Sequence, residues 1–196
     1  MSEGYVKFLC EQVSGVPIPP IGFDSINLLR TKLWDMGVIG EREGVGFGNI
    51  SVRLGDYVLI TGSRTGKVRI ADIKDYALIL DWDLRRFWVR SLGMVPASSE
   101  SFTHLSVYSA RPGVMMVVHL HWPSLWTWAR NRLPGTPAWA EFGSVELANE
   151  VFKLVVELNR DWGVIGMWGH QDGLLFWARD YMSVWRLLEA FSKMIT

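Results

Sequence analysis

One cysteine, Cys10, occurs in 196 residues, and a lone thiol permits no intramolecular disulfide, so a disulfide-stapled secreted scaffold is excluded. The chain has no surplus of either charge: 20 Lys and Arg balance 20 Asp and Glu, with a pI of ≈ 6.9. That balance removes the cationic field that non-specific binding to nucleic acid or an anionic membrane needs, and no nucleic-acid partner is expected. No basic, then apolar, then small-residue leader opens the sequence, so the expected compartment is the cytoplasm. An uninterrupted lipid-facing run is lacking too. Residues 112–129 hold no Asp, Glu, Lys or Arg, but Pro112, Gly113, His119, His121 and Pro123 break the stretch as a membrane helix, and no membrane partner is expected.

Apolar and aromatic residues are abundant. The chain is 49% hydrophobic with a mean hydropathy of +0.14, which is too apolar for a disordered chain. Its 11 Trp exceed its 5 Tyr and 9 Phe, and rings of this size fill cores or cover subunit contacts. The length suits one domain and is enough to bury a core unaided. Residues 1–22, with Pro17, Pro19 and Pro20, read as an extended lead-in, and residues 23–196 as a single domain.

Periodicity and punctuation predict the elements. Asp24 caps a helix over residues 24–36, with Ile26, Leu29 and Leu33 on one stripe and Gly37 as its stop. A glycine-spaced loop (Gly44, Gly46, Gly48) leads into a hairpin over residues 49–54 and 57–61, joined by Gly55-Asp56. Strands follow at residues 76–82 and 86–89, and Pro96 and Ser98 or Ser99 introduce a helix ending before Pro112. Residues 114–121 read as a buried strand, followed by an aromatic helix to Arg130; Ser144 caps a helix to about Arg160, and Asp180 starts the last one. Strand candidates at 162–168 and 174–177 flank a turn. The expected fold is a three-layer α/β/α domain with a largely antiparallel central sheet.

His119 and His121 stand i, i+2 in a strand, which sends both imidazoles to one face. They are either core histidines bonded to backbone or two ligands of one metal ion. His170, in the turn Trp168-Gly169-His170-Gln171-Asp172-Gly173, offers a third nitrogen, and three nitrogens leave the open position of a catalytic zinc site. His104, one turn after Glu100, is the weaker candidate. Glu100 at a helix start either complements the helix dipole or does acid/base work. Gly48, Asn49, Thr61, Gly62, Ser63, Ser98 and Ser99 read either as turn residues or as donors to a small anion; Arg64 and Lys67 read as solvated surface.

Several motifs carry a resemblance: Asn49-Ile50-Ser51-Val52-Arg53, Leu59-Ile60-Thr61, Pro96-Ala97-Ser98-Ser99-Glu100, Ala110-Arg111-Pro112, Val117-Val118-His119-Leu120-His121, and Ala140-Glu141-Phe142-Gly143-Ser144. In order and spacing they resemble the class II aldolase/adducin family, notably its fuculose-1-phosphate aldolases, over roughly residue 28 to the C-terminus. The resemblance implies Zn2+ held by His119, His121 and His170, with Mn, Fe, Co or Ni as other occupants. It further implies Glu100 as general acid/base and a phosphate pocket of Gly48, Asn49, Thr61, Gly62, Ser63, Ser98 and Ser99. The implied reaction is cleavage of a phosphorylated ketose or related hydroxy-carbonyl compound through a zinc-stabilised enediolate, in a homotetramer. Within the family, a sugar-phosphate epimerase, a methylthioribulose-phosphate dehydratase or a non-catalytic adducin-head-like domain are the alternatives. The chain departs from the family in three places. A His-Gly turn is replaced by His170-Gln171-Asp172-Gly173, leaving Asp172 as an alternative ligand. The segment 130–137 is short, with no tyrosine between Tyr108 and Tyr181. The chain ends soon after the last helix, without the family's closing tail.

Overall fold

A computed structural model describes residues 7–195; the first six residues of the expected lead-in, and Thr196, lie outside the described residues. In chain order the elements are β1 (Leu9–Val13), α1 (Phe23–Asp35), β2 (Gly40–Arg42), β3 (Val45–Phe47), β4 (Asn49–Leu54), β5 (Tyr57–Thr61), β6 (Tyr76–Asp83) and β7 (Trp88–Gly93). They continue with α2 (Ser101–Ala110), β8 (Met116–His121), α3 (Pro123–Ala129), β9 (Gly135–Thr136), α4 (Val145–Leu158), β10 (Gly163–Met167), β11 (Gly173–Ala178) and α5 (Tyr181–Ser192). Nine strands form one sheet in the order β1-β7-β6-β5-β4-β8-β11-β10-β9, while β2 and β3 pair apart from it. Among the described residues only the edge pairs β1–β7 and β9–β10 are parallel, so the sheet is largely antiparallel, as expected.

Alternation along β8 shows how the layers arise. Met116, Val118 and Leu120 join the apolar cluster containing α1, α3 and α5 residues. Val117 joins the opposite cluster, with Phe102 and Leu105 of α2 and Val151 and Val155 of α4. Both faces of the strand are covered by helices, which is why its sequence is apolar at almost every position. His119 and His121 follow Val117 in the period of two, so they point to the α2 side at the strand's end.

Local chemistry moves several boundaries from their expected places. Gly22, with φ 83°, is the N-cap of α1, and Asp24 lies inside the first turn instead of capping it. Glu100 is the N-cap of α2, because Ser98 is engaged otherwise: its carbonyl accepts from Ser101 N and Oγ. Strand β7 starts at Trp88 because Asp83 Oδ1 accepts the amides of Arg85 and Arg86, drawing them into a turn that Phe87 closes at φ 50°. Within the lead-in, residues 9–13 are a strand on the sheet edge, with Gln12 Nε2 donating to Gly93 O at 3.0 Å. The glycine-spaced loop contains the β2–β3 hairpin, whose turn residues Glu43 and Gly44 both have positive φ, the requirement of a tight two-residue hairpin turn. Ser144 and Asp180 cap α4 and α5 as expected, accepting from Leu147 N and Ser183 N.

Candidate metal centre and anion pocket

Strand β8 lies between β4 and β11, with His119 opposite Asn49 on one side and Leu175 on the other, and His121 opposite Gly173. The β10–β11 turn folds back over the strand end. His170 N bonds Met167 O at 3.0 Å, Gly173 N bonds His170 O at 2.9 Å, and the carbonyl of Asp172, a residue at φ 63°, accepts from Trp122 N at 2.9 Å. A side chain at Gly173 would press on His170 O at 2.9 Å and His119 Cε1 at 3.3 Å, so the turn closes this tightly only with glycine there.

The three imidazoles therefore converge, with ring centroids 4.7–5.0 Å apart. One ring nitrogen from each lies within 4.8 Å of the others, a group that can hold a metal ion, and Asp172 is not in it. His119 Nδ1 sits 3.1 Å from Leu174 O. A carbonyl only accepts, so Nδ1 carries the proton and Nε2 a lone pair. That Nε2 is buried and has no hydrogen-bond partner among the described residues. Burial, then the neighbouring His170 and His121, hold the His119 pKa well below 6.5, so the ring is neutral. A ligand histidine oriented by a backbone carbonyl is the arrangement metal sites use, and the donor set fits a divalent transition metal. Phe47 and Phe142 flank it, 5.3 Å from His121 and 5.4 Å from His170 between ring centroids.

Glu100 lies in the same cavity wall, 4% exposed. Its Oε2 accepts from Thr103 Oγ1 at 2.7 Å, while Oε1 is buried without a partner among the described residues. Ser98 Oγ accepts from Asn49 Nδ2 at 3.0 Å and from Glu100 N at 3.3 Å, which ties the start of α2 to β4. The fourth histidine is elsewhere. His104 is fully buried, its Nδ1 is 2.7 Å from Ser51 Oγ, and burial pushes its pKa down to about 3.

The structure places Gly48, Asn49, Thr61, Gly62, Ser63, Ser98 and Ser99 around one cavity with Glu100 and the three histidines. Some of their donors are already engaged. Thr61 Oγ1 is spent on the Ile50 backbone, Gly62 N on Asp75 O and Ser63 N on Pro96 O. Sequence reasoning missed Arg30, Thr65 and Gly66, which line the same cavity. Their signal was weak: an arginine in a helix reads as surface, and the loop 62–66 approaches α1 only in three dimensions. Phe47, His121 and His170 also wall a second, wider groove of ≈ 570 Å³ with Arg42, Phe142 and Asp172.

The tryptophans divide. Trp122, Trp126 and Trp168 pack partly buried against the α1/α3/α5 cluster. Trp139 is 63% exposed, and Trp162, which follows α4 and lines a surface groove, is 52% exposed.

The family model described as the class II aldolase and adducin N-terminal domain matches residues 43–195. No curated protein matches the chain. Similar solved structures include an L-fuculose 1-phosphate aldolase, at 20% identity and TM-score 0.63 over 87% of this chain and 82% of that one. The L-fuculose-1-phosphate aldolase from Thermus thermophilus is similar at 19% and 0.59, over 87% and 88%. The sugar-phosphate aldolase from Thermotoga maritima is similar at 19% and 0.60, over 86% and 89%. At these identities the likeness is one of fold; the family follows from the sequence model and from its span, and the chain belongs to the class II aldolase and adducin N-terminal domain family.

Proposed function

We propose that the chain is a metal-dependent carbon–carbon lyase of the aldolase type, acting in the cytoplasm on a phosphorylated ketose or a related hydroxy-carbonyl compound. The observation that carries this reading is the pairing, in one cavity, of the three-histidine group with the partnerless buried oxygen Glu100 Oε1. A buried polar atom left unsatisfied costs about 1–3 kcal/mol, a cost that a ligand-binding site offsets when its ligand arrives.

His119, His121 and His170 would hold the metal, Zn2+ by the three-nitrogen donor set, with other divalent transition metals accepting the same ligands. When bound, such an ion supplies Lewis-acid stabilisation of negative charge developing on the substrate's oxygens. Glu100 moves the proton. The Thr103 hydroxyl donates to Oε2 and so leaves Oε1 as the basic oxygen. As the carbon–carbon bond breaks, its electron pair passes to the ketone half as an enediolate, and the hydroxyl of the other half gives its proton to Oε1 and becomes the aldehyde carbonyl; Oε1 then returns that proton to the carbon that has lost its bond. The Asn49–Ser98–Glu100 hydrogen bonds hold the backbone of Glu100 in a fixed relation to His119, which Asn49 faces across the ladder, and Thr103 orients its carboxylate. Gly48, Asn49, Thr61, Gly62, Ser63, Ser98 and Ser99 form the wall against which the substrate's phosphate rests.

The test is a screen of phosphorylated ketoses for chelator-sensitive release of dihydroxyacetone phosphate. Glu100→Gln is expected to keep its metal and lose about 10²–10⁴-fold in turnover, the usual share of general acid/base catalysis; unchanged cleavage in that variant contradicts the assignment. The lack of tyrosine between Tyr108 and Tyr181 favours a second reading, epimerisation or dehydration of a sugar phosphate at the same site. Product analysis separates inversion or loss of water from cleavage. A metal-free protein that turns over none of these substrates indicates an adducin-head-like interaction domain.

A further inference from the structure

One buried cation has no part in the chemistry above. Arg30 of α1 is 1% exposed, yet it forms no ion pair among the described residues. Its guanidinium donates to Arg69 O at 3.1 Å and to Thr65 O at 2.9 Å, and Nε is buried without a partner. Burial draws its pKa below the usual value, opposed by Tyr76 and Asp75, the charged or titratable groups that act on it. A guanidinium stays protonated in proteins all the same, so a positive charge is held out of water with neutral carbonyls as its hydrogen-bond partners and no carboxylate paired to it, Asp75 acting only from beyond contact. Such a charge is unfavourable until a counter-charge arrives.

Arg30 stands in the wall of the same cavity as Asn49, Ser98 and Glu100. A second observation concerns the loop it grips. Among the described residues no backbone carbonyl accepts from the amides of Arg64 or Gly66, while the amide of Thr65 closes the turn over Ser63 and Arg64. Arg64 takes a left-handed φ of 63°, and a side chain at Gly66 would run into the Gly40 carbonyl and Gly46 Cα. Two backbone donors of this loop, at Arg64 and Gly66, are therefore left where it lines the cavity, beside a buried guanidinium with no carboxylate bonded to it. Backbone amides and a planar guanidinium are together the chemistry of a phosphoryl group.

We propose that Arg30 is the charge-reading residue of this pocket: it makes the site selective for a phosphomonoester dianion over a singly charged or neutral group, and it steadies the 64–66 loop that supplies the amides. The inference rests on the reading of this cavity as the seat of a phosphorylated substrate.

Calorimetric titration with inorganic phosphate, mostly a dianion at about pH 8, and with dimethyl phosphate, a monoanion, tests it on protein as purified and again after chelation, so that phosphate held by a metal is told apart. The wild type is expected to bind phosphate about tenfold or more tighter than dimethyl phosphate. Arg30→Gln, which keeps an N–H donor without the charge, is expected to lose that preference, and Arg30→Lys to retain most of it. If Arg30→Gln does not fold by circular dichroism, the wild-type preference and Arg30→Lys decide. A wild type that binds both anions equally, or a folded Arg30→Gln that binds phosphate as tightly as wild type, overturns the role of Arg30 and leaves the phosphate reading standing. A wild type that binds neither anion overturns the phosphate reading itself.

Discussion

Among single residues, the contrast between His119 and His104 is the most informative. Both are buried histidines whose pKa burial lowers, yet they do different work. His104 Nδ1 is bonded to Ser51, which in turn meets Tyr108 OH at 2.8 Å, so the ring locks α2 to β4. His119 Nε2, by contrast, has no hydrogen-bond partner among the described residues. For His104 the linkage has a definite sign. Its folded pKa of about 3 lies below the unfolded value of 6.5, so its contribution is full above pH 6.5 and is lost as pH falls toward 3, with a slope up to about 1.4 kcal/mol per pH unit. Denaturant titrations of wild type and His104→Gln across that window should show a shallower acid-side loss in the variant; parallel curves would contradict the buried neutral state. The same reasoning explains what the sequence revealed. The i, i+2 spacing of His119 and His121 needs only the period of a strand to be read, whereas His170 reaches them by a hairpin turn and Arg30 by the fold of α1 against the loop 62–66, neither of which periodicity encodes.

For the elements, legibility followed the range of the forces. Helices α4 and α5 begin where Ser144 and Asp180 announce them, because capping is settled within four residues. The β4–β5 hairpin matches its expected bounds, 49–54 and 57–61, because alternation and a Gly55-Asp56 turn are local too. Strand β1 left no such mark: it is mostly exposed and is held by β7, far along the chain. Gly48 shows a local constraint set by distant partners. It has φ 69°, and an added Cβ would stand 2.7 Å from Ile39 Cγ1 and 3.1 Å from the His119 carbonyl. Gly48→Ala is therefore expected to cost about 1–2 kcal/mol from the left-handed backbone alone, and to weaken metal affinity by shifting β8. Thermal unfolding with a metal titration checks both; an unchanged melting temperature would count against the tight junction of β4 and β8.

Over the whole molecule, composition sets what the surface does. Equal numbers of acidic and basic residues leave no net charge to draw an anion to the molecule as a whole, so the proposed phosphate site rests on local donors in the cavity between α1 and the start of α2. Among the described residues, no helix is long and apolar enough to cross a membrane. Large apolar side chains remain exposed, including Ile18, Ile21, Trp139 and Trp162. A homotetramer is the expected assembly, with Trp139 covered; sedimentation at micromolar concentration should give a single species of four chains, and a monodisperse monomer would contradict it. All of the proposed chemistry depends on one feature, the convergence of three imidazoles at the end of β8. The most direct measurement is the metal content of protein purified without added metal. About one divalent ion per chain is expected in wild type, the same in Glu100→Gln, and almost none in His119→Ala. Full occupancy in His119→Ala, or a wild type that takes up no metal, would contradict the account.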